Sequence, residues 1–62
     1  MEIVDGGELL ATLENKNYPG QYLKIYSFSD YAWVVVIGEN PPRFITHYKS
    51  RKFKKIYKEA FK

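Results

Sequence analysis

The sequence predicts an α+β fold in one small domain over residues 1–62: an N-terminal helix, a three-stranded antiparallel meander and a C-terminal amphipathic basic helix. Three observations carry this expectation. Apolar residues after Ser50 recur at helical spacing. Two segments rich in β-branched and aromatic residues, 21–27 and 31–37, are separated by a short link. The chain has only 62 residues, enough for one domain that buries roughly 60% of the surface its unfolded form exposes.

Element by element, Met1 to Val4 reads as a short strand or an ordered arm before the turn residues Asp5-Gly6-Gly7. From Glu8 to Lys16, Leu9, Leu10 and Leu13 fall on one helical face, and Asp5 with Glu8 has capping-box spacing, so this segment is predicted helical. A hairpin turning at Asp5-Gly6-Gly7, pairing Ile3-Val4 with Leu9-Leu10, is the alternative. Asn17 to Gly20 then ends whichever element precedes it.

Gln21 to Ser27 alternates Tyr22, Lys24 and Tyr26 with Leu23 and Ile25, and Tyr31 to Ile37 is an unbroken β-branched and aromatic run. Joined through Ser27 to Asp30, the two form an antiparallel hairpin. The second, apolar on both faces, suits the middle of a sheet covered by a helix on one side and aromatics on the other. Trp33 and residues 34–37 are therefore scaffold. Arg43 to Lys49 is the third strand, entered through Pro41-Pro42, where missing amide donors suit an edge. Beyond Ser50, a plausible N-cap, Phe53, Ile56, Tyr57, Ala60 and Phe61 make one apolar stripe. Arg51, Lys54, Lys55, Lys58 and Lys62 fall opposite it, and Phe53, Ile56, Tyr57 and Phe61 are expected to pack against the sheet.

Composition removes several function classes. The chain has no cysteine and one histidine, His47, which excludes disulfides and a tetrahedral zinc site; neither metal nor other cofactor is expected. Eleven aromatic residues supply the core volume that length cannot. The longest apolar run, 31–37, is far short of the roughly 20 residues of a membrane helix, and the N-terminus lacks the pattern of an export signal. A cytoplasmic protein is expected. There is no glycine-rich phosphate loop and no nucleophile with a plausible base. The carboxylates are scattered among turns and helix ends, where capping and solubility explain them; no catalytic residue is assigned.

Charge is the informative feature. Residues 1–42 hold two lysines against six carboxylates, a net charge of −4, whereas residues 43–62 hold eight cations against Glu59, a net charge of +7. Such asymmetry points to a polyanionic or acidic partner, against the plain reading of a solvated lysine face. By period-two alternation Arg43, His47 and Lys49 share one strand face and lead into Arg51, Lys52, Lys54, Lys55 and Lys58, which together form the candidate nucleic-acid-binding surface. Arg51 and Lys52 lie in the first helical turn, where the macrodipole disfavours cations, so they look selected for something other than helix stability. Free amides at that terminus would assist phosphate binding. Tyr22, Tyr26 and Tyr48 are candidates for stacking on bases, or else core residues with wet hydroxyls. His47 is either an edge-strand residue without a task or a phosphate or proton-transfer contact.

The run Arg43-Phe44-Ile45-Thr46-His47-Tyr48, followed by Ile56-Tyr57-Lys58-Glu59, lies in the C-terminal third of this chain and resembles the C-terminal end of RelE/BrnT-type ribonuclease toxins. That resemblance implies a compact sheet-and-helix domain contacting RNA through Arg43, His47, Lys49 and Tyr57. The helix–three strands–helix order is also similar to a double-stranded RNA-binding domain, which implies phosphate contacts from Lys52, Lys54 and Lys55. The leading expectation is a non-enzymatic binding module with nucleic acid as partner. The alternatives are a small phage- or plasmid-type protein-binding inhibitor or accessory factor, which uses the same lysines against an acidic protein or exposes Trp33 or the tyrosines, and a RelE/BrnT-like ribonuclease.

Overall fold

The computed structural model describes residues 2–39 and 41–61. The expected places of Met1 in the N-terminal segment and of Lys62 on the basic helical face lie outside the described residues. The domain is α+β, with a helix α1 (Glu2–Gly6), strands β1 (Glu8–Glu14), β2 (Gln21–Phe28), β3 (Tyr31–Gly38) and β4 (Arg43–Lys49), a helix α2 (Arg51–Ile56) and a 3₁₀ turn (Lys58–Phe61). The strands form one antiparallel sheet in the order β1-β2-β3-β4. No helix among the described residues is long and apolar enough to cross a membrane.

The strand expectations at β2, β3 and β4 match their observed positions closely, and β3 is internal as its two-sided apolar pattern requires. Phe28 pairs with Tyr31 across the two-residue turn Ser29-Asp30. Both turn residues have positive φ, 51° and 64°, the backbone signature of the turn whose twist matches that of flanking antiparallel strands.

The N-terminal third corrects the sequence reading. Residues 8–14 are a fourth strand, not a helix, and α1 occupies residues read as a strand or arm. The same leucines satisfy both patterns. A register shift between Leu9 and Ala11 makes Leu10 a bulge, so Leu10 and Ala11 both reach the core on one side of the sheet. Tertiary pairing then decides, because a helix at 8–14 would leave the edge of β2 without hydrogen-bond partners. The turn between β1 and β2 is closed by Asn15 N–H donating to Gln21 O (3.0 Å) and Gln21 N–H to Tyr18 O (3.2 Å), with Gly20 at φ +84°. The alternative hairpin turning at residues 5–7 does not form either: Gly7 N–H donates to Ile3 O (2.9 Å), closing α1 directly onto β1.

Core residues lie on both faces of the sheet. On one, Ile3 of α1 covers Tyr26 and Val35, with Phe28, Trp33 and Ile37 packed around them. On the other, Ile25, Val34 and Val36 meet Leu10, Ala11, Leu23, Phe53 and Tyr57. Ser50 caps α2, its hydroxyl accepting the Phe53 N–H at 3.2 Å, as expected. The helix is shorter than the periodicity predicts, ending at Tyr57 with φ −104° and ψ 34°. Only part of the predicted stripe is therefore seated. Phe53 and Tyr57 stack at 6.3 Å and pack on the sheet, whereas Ile56 is 56% exposed. Phe61, carried round by the 3₁₀ turn, faces a surface groove instead.

Candidate polyanion-binding surface

β4 is one of the sheet's two edge strands, exposed along its whole length. Its C-terminal end and α2 shape an open groove of about 1180 Å³. Five cations line it: Lys49 at the end of β4, Arg51, Lys54 and Lys55 on α2, and Lys58 just beyond. Tyr31 and Phe61 form the apolar part of the wall, and no carboxylate lines the groove among the described residues. The Lys54 ammonium lies 5.4 Å from the Tyr31 ring centroid and 5.5 Å from that of Phe61, so its charge sits between two aromatic faces. Phe61 also borders a smaller cleft of about 430 Å³ lined by Glu8 and Asp30, which gives the two sides of this ring opposite charge.

The surface differs from the sequence-based one in composition and in face. A register shift between Val36 and Ile37 pairs Val36 with Thr46 and Ile37 with Phe44, leaving Ile45 as the extra residue of a bulge. The bulge reverses alternation below it. His47 and Lys49 stay on the face that carries Trp33, while Arg43 passes to the opposite face, filling the space above Gly38 together with Ile45. Arg43 also lies at the far end of a seven-residue strand, roughly 20 Å from Lys49 at 3.3 Å per residue. The strand triad Arg43, His47 and Lys49 is thus not brought together. Lys52 is directed toward the Phe53 ring (5.9 Å) and does not line the groove. Tyr57, implicated by the toxin resemblance, packs beneath the sheet.

The stacking candidates change as well. Tyr26 is buried, Tyr22 half-buried, and Tyr48 pairs with Val34 on the face away from His47. The rings beside the cations are Tyr31 and Trp33, with Phe44 further along β4 next to His47; sequence reasoning treated Trp33 as scaffold and left Tyr31 and Phe44 unassigned. Phe44 is 52% and Tyr31 47% exposed. A large aromatic at the edge of a strand is the one local signal that pointed to them. Of the amides at the start of the six-residue α2, that of Phe53 is already taken by the Ser50 hydroxyl. No group of three or more metal-ligating side chains occurs among the described residues.

Comparison with protein-family models, curated proteins and solved structures returned no match.

Proposed function

We propose that the chain is a small non-enzymatic, cytoplasmic binding module that holds a nucleic acid by its phosphates in the groove between β4 and α2. One observation carries this reading: five cationic side chains from three consecutive elements converge on one concavity without an intervening carboxylate among the described residues. Mutual repulsion among them disfavours that arrangement unless a polyanion occupies it, because like charges at helical i, i+4 spacing destabilise by a few tenths of a kcal/mol per pair. Arg51 and Lys55 have that spacing within α2. The cysteine-free composition suits a reducing compartment.

Each phosphate neutralised by a cation releases condensed counterions, so log K falls with log salt at about −0.9 per contact on duplex DNA and −0.7 on a single strand. Arg51, Lys55 and Lys58 are the residues to replace, being exposed, whereas Lys54 is half-buried against Tyr31 and Phe61. The variant with glutamine at all three positions is expected to weaken binding and to flatten the salt slope by roughly 2 to 3. Wild-type binding no tighter than about 0.1 mM at about 50 mM salt, where non-specific binders register, would overturn the proposal and favour an acidic protein partner.

A further inference from the structure

The basic groove continues into a row of rings on the adjoining sheet face. From Lys54 the row passes to Tyr31 (5.4 Å), then to Lys49, whose ammonium stands 4.4 Å from the Tyr31 centroid and 5.5 Å from that of Trp33. Trp33 is followed by His47 at 5.7 Å and His47 by Phe44 at 5.7 Å, the planes tilted by 39° and 40°. Packing holds the row in place. Trp33 packs against the Ile3, Tyr26 and Val35 cluster, and its buried indole N–H has no hydrogen-bond partner among the described residues. α1 covers this face over β2, while β4 is exposed throughout.

Resting on the nucleic-acid reading above, we infer that the ligand is single-stranded, with its phosphates in the groove and its bases laid against Phe44 and the neighbouring His47 and Trp33 rings. A cation-lined groove that runs into a row of aromatic faces matches a strand that presents both phosphates and unpaired bases, and every base has a π-face, so such recognition tolerates sequence. A duplex offers this surface only phosphates, because its bases are already stacked and paired. An acidic protein segment would satisfy the lysines and leave the exposed Phe44 ring without a role.

Trp33 is the only tryptophan, so its emission reports on the row directly. The full chain is titrated at about 50 mM salt with three probes: an oligothymidylate of about 20 nucleotides, an abasic strand of equal length and charge, and a duplex of mixed sequence. The oligothymidylate is expected to bind at least tenfold more tightly than the abasic strand and to quench Trp33, with stacking worth about 5- to 150-fold per base. Phe44→Ala should reduce oligothymidylate affinity by at least about fivefold, the loss of one stacked base, while leaving the salt slope and the abasic-strand affinity unchanged, and Phe44→Trp should retain the affinity. Far-ultraviolet circular dichroism verifies that both variants fold. Equal affinity for the thymidylate and abasic strands, or an unaltered Phe44→Ala variant, overturns the single-strand inference while the groove reading stands. Absence of binding to all three probes overturns both.

Discussion

The seating of α2 on the sheet gives the sharpest test of the fold, through the contrast between Phe53→Ala and Ile56→Ala. Both residues belong to the stripe that helical periodicity defines, and an ideal helix would bury both. In the structure Phe53 is half-buried against Ile25, Val34 and Val36, while Ile56 is 56% exposed and belongs to neither core cluster. A fully buried Phe→Ala costs about 3–5 kcal/mol. Phe53 has the sheet on one side only, so about half of that, ~2 kcal/mol, is expected. At Ile56 a small transfer loss is offset by the better helix propensity of alanine, leaving a change below ~0.5 kcal/mol. Against a total of roughly 3–9 kcal/mol for a chain of this length, the first change is severe and the second invisible. Since 1 kcal/mol moves Tm by about 4–8 °C in a domain this small, Phe53→Ala should lower Tm by about 8–16 °C and Ile56→Ala by less than about 4 °C. Thermal and urea unfolding, followed by circular dichroism and Trp33 emission, read both. Equal losses, or a larger loss at Ile56, would refute the packing described, since the helix would then have to sit rotated about its axis.

Three further substitutions test separate features. Ser50→Ala removes the hydroxyl that accepts the Phe53 N–H and should cost about 0.5–2 kcal/mol in urea midpoints, with Ser50→Asp retaining most of the stability. Replacing Ser29-Asp30 by Asn-Gly supplies the pair best suited to two successive positive φ angles; a rise in Tm of a few degrees is expected, and a fall would show that the turn has another backbone form. Gly7→Ala would drive its methyl into the carbonyl oxygens of Ile3 and Ser27, backbone atoms that cannot rotate away. A destabilisation of about 1–3 kcal/mol is expected, accompanied by faster amide exchange in α1.

Local pattern alone located much of the molecule. The β-branched and aromatic runs of β2 and β3, the proline-led edge strand β4, the cap at Ser50 and the concentration of positive charge after residue 43 all follow from residue types and their spacing over a few neighbours. Tertiary structure decided the features that depend on a partner or on a single inserted residue. Leu9, Leu10 and Leu13 suit a helix as well as a bulged strand, and only the unpaired edge of β2 selects the strand. One extra residue at Ile45 reverses alternation in β4, separating Arg43 from His47 and Lys49 and setting Phe44 beside His47. Termination of α2 at Tyr57 sends Phe61 to the groove and leaves Ile56 in solvent. Periodicity assumes an uninterrupted element, so a bulge or an early helix end shifts every side chain beyond it to a different face, and the pairing and packing that place such interruptions are made by residues distant in the chain.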